Sequence, residues 1–188
     1  MSTDLIKKHE GLASTSKNKT TIATLDEQNN PKTKVYPYKC EGGFYTIGWG
    51  CRVSKPEKYK DGISVEEAEK MLNERVGQIQ ASLSKLITAT LSEEQFIAVT
   101  CFVYNIGVAA FSKSTLLQKI NENPANLIEI KTEWMRWIHI KGRPSTALKN
   151  RRIDELRVFS TNINESKISL LKQYLKTFVK DFLEFIMY

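Results

Sequence analysis

Val35-Tyr-Pro-Tyr-Lys-Cys-Glu-Gly-Gly-Phe-Tyr-Thr-Ile-Gly-Trp-Gly-Cys51 is the stretch that decides the architecture of this 188-residue chain. Aromatic and β-branched residues flank Glu41-Gly42-Gly43, the pattern of a β-hairpin or small meander. Downstream, every long segment carries a helical period instead. Ser64-Val-Glu-Glu67 reads as a capping box opening a helix with Val65, Ala68, Met71, Leu72, Val76 and Ile79 inward. Ser92-Glu-Glu-Gln95 reads as a second one, leading into Phe96, Val99, Phe102, Val103 and Ile106. With Ala98 and Cys101 that run is apolar on nearly all sides, which predicts a buried central helix. Shorter helices are expected over Ser114–Ile120, over Pro124–Trp137 with Pro at the first helical position, and over Ser145–Phe159.

Upstream of the hairpin, Thr3 to Glu10 is expected to form a first helix, with Thr3 as its cap. Leu5, Ile6 and His9 share a face, and Gly11 is placed to end it. From Ala13 to Lys34 the chain is polar and without period, which predicts a loop or insertion. At the other end, Ser166 to Met187 spaces Ile168, Leu171, Leu175, Phe178, Phe182 and Phe185 at helical intervals beside Lys167, Lys172, Lys176 and Lys180. An amphipathic helix packed on the same domain is the expectation there, with membrane-surface or partner contact as other readings. No internal repeat is present. The predicted class is α+β, mostly α: a small N-terminal β-hairpin lobe and a larger helical lobe with a cleft between them. Residues 1–159 form the domain (13–34 its insertion), and 160–188 the added helix.

Hydrophobic residues make up 41% and charged residues 26%, an ordinary soluble balance on a chain long enough to bury a core. No apolar run reaches the roughly 18 residues of a membrane span, and the first residues lack a signal-peptide core, so synthesis in the cytoplasm is expected. The net charge of +7 suits a polyanionic partner but does not choose one. No nucleic-acid-binding motif accompanies it, so no nucleic acid is expected. Cys40, Cys51 and Cys101 are odd in number and form no CxxC, and His9 and His139 lie far apart. No metal site and no cofactor are therefore expected. Free thiols fit a cytosolic origin, while a Cys40–Cys51 bridge across the Gly-rich turn stays open.

Two short motifs stand out: His9-Glu10-Gly11 at the end of the first helix and Phe44-Tyr-Thr-Ile-Gly-Trp-Gly50 in the hairpin. Either alone is common, as a solvated carboxylate and a strand with a turn. Together, and in this order, they resemble the phage-type lysozymes, glycoside hydrolase family 24, which include bacteriophage endolysins. Glu10-Gly11 matches that family's first element, and Thr46-Ile-Gly-Trp-Gly50 its hairpin motif. The resemblance continues through ISVEEAEKML (63–72), QFIAVTCFVYNIGVAAFSKSTLLQKIN (95–121), the Trp137 region and LKNRRIDELRVF (148–159). Two parts depart from the pattern. The 13–34 tract is longer than the family's connection, and Cys40 stands where the family places an Asp, as in some members.

The resemblance implies a lysozyme-like fold and a muramidase that cleaves the β-1,4 bond between N-acetylmuramic acid and N-acetylglucosamine in peptidoglycan, leading to wall lysis. The biological setting would be phage lysis or a delivered bacteriolytic effector. Such cleavage needs a proton on the leaving oxygen and a group meeting the oxocarbenium-like carbon. A carboxyl beside the apolar wall of a cleft can retain its proton near neutral pH, and the resemblance assigns this acid to Glu10. Thr46 would help hold the attacking water, with inversion as the implied outcome. Cys40 has three readings: a thiolate base, a nucleophile giving retention, or a small hydrophobe beside Thr46. Asn105 and Tyr45 are candidate substrate contacts, Asn105 equally a helix-end residue before Gly107. Arg143 is the candidate buried partner orienting Glu10, with Arg151 or Arg152 as substitutes. Trp134 and Trp137 read as core. Peptidoglycan is the expected partner, at the periplasmic or external wall, for a monomer with an inhibitor or immunity protein as a conceivable counterpart. The alternative is a catalytically inactive wall-binding module on the same fold.

Overall fold

The computed structural model describes residues 3–12, 21–25, 31–40 and 43–161, the side chains of 21–33 excepted. The expected Ser166–Met187 helix and the Glu41-Gly42 half of the hairpin turn lie outside the described residues. The chain divides into two compact units, Met1–Leu86 with Val103–Ala110, and Ile87–Phe102 with Phe111–Tyr188.

The first unit opens with α1 (Asp4–Glu10), which buries Ile6. Thr3 precedes it but makes no side-chain cap bond. Gly11 ends it at φ +64°, its N–H donating to the Lys7 carbonyl. The loop expected over Ala13–Lys34 is in part a hairpin: β1 (Thr21–Leu25) pairs antiparallel with β2 (Pro31–Val35), Thr21 opposite Val35. Polarity misleads here because main-chain bonds close a ladder whatever the side chains, and Thr-Ile-Ala-Thr carries three β-branched residues. Val35, wholly buried at the end of β2, sits opposite Ile63 of β6 (Ile63–Ser64), which fixes the hairpin to the unit.

The expected meander is present as β3 (Tyr38–Lys39), β4 (Tyr45–Ile47) and β5 (Cys51–Arg52), antiparallel in that order. Tyr38, Thr46 and Arg52 form one row across it, and Ile47 faces Cys51. After a single 3₁₀ turn (Pro56–Tyr59), α2 (Val65–Leu86) begins with the predicted capping box. The Ser64 N–H donates to Glu67 Oε2 at 2.8 Å, and the Glu67 N–H to Ser64 Oγ at 3.1 Å. Ala68, Leu72, Val76, Ile79 and Leu83 form its buried stripe, and α2 packs on β2, β5 and β6.

The second capping box opens α3 (Glu93–Ile106), with the Ser92 N–H on Gln95 Oε1 at 2.9 Å and the Gln95 N–H on Ser92 Oγ at 3.2 Å. Ala98 to Val103 are all buried, as expected of a central helix. Gly107 ends α3 at φ +89°, and α4 (Val108–Phe111) follows. In the second unit Ser114 caps α5 (Thr115–Glu122) through the Leu117 N–H. The helix expected from Pro124 starts later, as α6 (Leu127–Met135). Asn123 accepts from the Ala125 N–H at 3.0 Å, holding a turn around Pro124, and Asn126 caps through the Glu129 N–H. Side-chain turn chemistry overrides the preference of Pro for the first helical position. A two-residue hairpin, β7 (His139–Ile140) and β8 (Arg143–Pro144), precedes α7, described over 146–161.

This unit's core is aromatic. Phe102 meets Trp134 at 4.8 Å and Trp137 at 5.9 Å between ring centroids, and Trp134 meets Phe159 at 5.3 Å. Inside it lies a charged cluster. Glu155, wholly buried, accepts from Trp134 Nε1 at 2.9 Å and Arg151 Nε at 3.1 Å, and Arg152 Nε stands 3.3 Å away. The Arg152 guanidinium lies over the Phe102 ring at 4.6 Å.

Candidate active site

A pocket of about 520 Å³ lies within the first unit, and the hairpin and three helices build its wall. The hairpin supplies Tyr38, Cys40, Thr46, Cys51 and Arg52; α1 supplies Glu10. One stripe of α2 contributes Met71, Glu74, Arg75 and Gln78, at the i, i+3, i+4, i+7 spacing of a single helical face. The end of α3 supplies Tyr104, Asn105 and Ile106 before Gly107.

Glu10 reaches this wall because α1 is held at several points. Ile6 is buried, Lys7 pairs with Glu69 of α2, and the Lys7 ammonium lies 4.8 Å from the centre of the Trp49 ring. The carboxylate then rests on Gly50. A Cβ placed there would stand 2.6 Å from Glu10 Oε2 and 3.2 Å from its Cδ, and Gly50 has φ +76°. The φ favours glycine and a Cβ would displace the Glu10 carboxylate, so a glycine here both permits the turn and leaves the carboxylate its seat.

Behind the turn runs a short chain of hydrogen bonds. The Tyr104 hydroxyl donates to the Trp49 carbonyl at 2.7 Å, and Cys51 Sγ lies 3.3 Å from the same hydroxyl oxygen. The phenol has one proton, given to Trp49, so the Cys51 thiol is the donor to Tyr104. Burial pushes the Cys51 thiol up; the charge of Arg75 opposes this, and the charge of Glu10 adds to it. Burial pushes the Tyr104 hydroxyl up too, with Cys51 and Glu10 adding. Both groups therefore keep their protons, and the chain pins the backbone on which Glu10 rests.

Thr46 is buried, its hydroxyl making a long 3.5 Å contact to the Tyr38 carbonyl. Cys40 is half-buried, its N–H on the Phe44 carbonyl at 2.8 Å, and Asn105 is exposed at the rim. Four sequence candidates, Glu10, Cys40, Thr46 and Asn105, thus line one pocket. Two do not. Tyr45 is 43% exposed and outside the lining, because neighbours on a strand face opposite sides and Thr46 takes the inward position. Arg143, expected to be buried, is exposed on β8 and likewise outside the lining. Its hairpin turns through Lys141 and Gly142, both at positive φ, and all four paired residues are exposed. Arg151 and Arg152 are the buried arginines, engaged with Glu155. Cys40 and Cys51 are free thiols, so the bridge left open by the sequence is not formed here.

The phage lysozyme family model matches residues 32–155, well over half of the chain. This chain belongs to the phage lysozyme family. Glu10 lies upstream of the matched stretch, so its place in the site rests on the packing just described. Among curated relatives, the endolysin of Bacillus phage B103 is 34% identical over 136 residues, covering 72% of this chain and 50% of that protein. The endolysin of Acyrthosiphon pisum secondary endosymbiont phage 1 is 33% identical over 132 residues, covering 68% and 88%. The chain thus spans about half the length of the Bacillus phage relative. Of solved structures, the endolysin from Escherichia coli O157:H7 phage FAHEc1 superposes with a TM-score of 0.62 at 29% identity, covering 83% of this chain and 88% of that one. The muramidase domain of SpmX from Asticaccaulis excentricus shares the fold at TM-score 0.61 and 23% identity, covering 83% and 92%. The fold of the family is lysozyme-like, in agreement with the α+β, mostly helical expectation.

Proposed function

We propose that this chain is a muramidase that hydrolyses the β-1,4 bond between N-acetylmuramic acid and N-acetylglucosamine in peptidoglycan, lysing the bacterial wall. Family membership supports the reaction class. The observation that carries the assignment of residues is the Glu10 carboxylate on Gly50, in a pocket shared with Thr46 and Cys40. Glu10 donates its proton to the departing glycosidic oxygen. Thr46 and Cys40 stand on the hairpin, where water meeting the anomeric carbon is to be held; Cys40 acts there as base or water-positioning group. Asn105 at the rim offers an amide to the acetamido groups of the sugar. The work is done at the cell wall; among the described residues no helix is long and apolar enough to cross a membrane.

The test is release of reducing sugar from purified peptidoglycan by wild type, Glu10→Gln and Cys40→Ser. Glu10→Gln should lose at least about 100-fold in kcat, the usual contribution of a positioned acid. Full turnover by that variant would remove Glu10 from the chemistry, and no turnover by wild type would leave a wall-binding module. Cys40→Ser with wild-type rate would reduce Cys40 to packing. The anomer first formed separates water attack, which inverts, from thiolate attack, which retains.

A further inference from the structure

Two cations on the pocket wall are not used by the chemistry above. Arg52 lies on β5 in one row with Thr46 and Tyr38, and its guanidinium stacks on the Phe44 ring at 4.1 Å. Arg75 lies on the pocket-facing stripe of α2. Neither makes an ion pair among the described residues. Against them the same wall carries two carboxylates, Glu74 and Glu10. When Glu10 holds the proton it is to donate, two guanidinium groups face one carboxylate, and the wall is net positive.

Stacking matters to what Arg52 can do. An arginine laid on an aromatic face keeps its planar edge of N–H donors open while losing little freedom on binding, and that edge fits a carboxylate in two-point fashion. Phe44 is 51% exposed, so Arg52 is presented on an open ledge of the pocket rather than sealed under it.

We infer that Arg52, held by Phe44, and Arg75 form a carboxylate subsite that selects the acid-bearing form of the glycan. This rests on the muramidase reading and names what the pocket takes besides the sugar ring. Wall glycan offers carboxylates from two sources, the stem peptides and, where these are removed, the lactyl group of muramic acid. Cleavage is thereby favoured where such a charge lies within a residue or so of the scissile bond.

Three substrates test it with the whole chain: native peptidoglycan, the same wall with carboxylates converted to amides by carbodiimide and ammonia, and strands stripped of peptide by an amidase. The ratio of kcat/KM on native to amidated wall should fall about tenfold in Arg52→Ala and in Arg75→Ala, mostly through KM, as expected for one lost charge-assisted bond each. Phe44→Ala should move the ratio in the same direction. A deficit on native wall that vanishes on stripped strands confines the subsite to stem-peptide carboxylates, and one that persists there extends it to the lactyl carboxylate that the amidase frees. Equal losses on native and amidated wall would overturn the subsite. Failure of Glu10→Gln to slow turnover would instead remove the acid assignment and leave this ratio intact.

Discussion

Gly50 is the residue on which the geometry of the site turns most sharply. Alanine there would meet Glu10 Oε2 at 2.6 Å and would have to hold φ +76°. Moving the carboxylate by the ångström needed costs on the order of 100-fold in rate, and the backbone strain about 1–2 kcal/mol. Gly142 is the matched control: φ +77° with nothing within 4 Å of a would-be Cβ. Gly50→Ala should therefore lose both activity and melting temperature, while Gly142→Ala loses melting temperature alone; equal kcat in the two variants would show that Gly50 does not seat the acid. At this scale the sequence is informative where a short motif ties residue type to backbone geometry, as with Glu10-Gly11 and Thr46 before Gly48 and Gly50. It is less so where a side chain's direction decides. Tyr45 and Thr46 are equally plausible on paper, and only the pleat of β4 sends one inward. Arg52, Arg75 and Tyr104 carry no signal at all, because an arginine reads as surface and a tyrosine in an apolar helix reads as core.

The elements were more legible, because helix starts are written in side-chain chemistry. Ser64 with Glu67 and Ser92 with Gln95 each close reciprocal bonds at the expected positions. The first matters to function, since α2 carries Met71, Glu74, Arg75 and Gln78 on the pocket and Leu72, Val76 and Ile79 in the core. Ser64→Ala leaves the Glu67 N–H without its acceptor and should lower the free energy of unfolding by about 1 kcal/mol. Urea denaturation measures this, and a change below a few tenths would mean that the β6 pairing alone sets the start of α2. The β1–β2 hairpin is not legible in the sequence, for the opposite reason. Its ladder is main-chain bonding, and the large apolar residues of Thr21–Val35 in the sequence, Ile22, Leu25 and Val35, stand three and ten residues apart, without the two-residue alternation that marks an inner face.

For the whole molecule, stability has an alkaline limit set by groups that stay protonated in the fold. Cys101 is the clearest. Burial, with the charge of Glu155 adding and Arg151 opposing, moves its thiol from 9.0 to about 12. It sits beside the cluster that organises the second unit: Arg151 Nη2 lies 3.2 Å from the Cys101 carbonyl and 3.8 Å from its sulfur, and the same arginine holds Glu155. Arg151 and Arg152 stand four and three residues before Glu155 on one helix, which brings all three together, but nothing in that spacing marks their complete burial. Because the folded pKa is raised, the unfolded chain binds fewer protons above pH 9 than the folded one, and stability falls as pH rises from there toward 12. At pH 10 the cost from Cys101 alone is about 1.4 kcal/mol relative to pH 7, and Cys51 and Tyr104, both shifted upward, act in the same direction. Cys101→Ala removes one of the three titrations. Its free energy of unfolding should drop from pH 7 to pH 10 by about 1.4 kcal/mol less than that of wild type, whatever small cavity penalty it carries at both. Parallel pH curves for the two proteins would mean that the Cys101 thiol ionises in the fold as freely as in the unfolded chain, and that the cluster around Glu155 admits solvent.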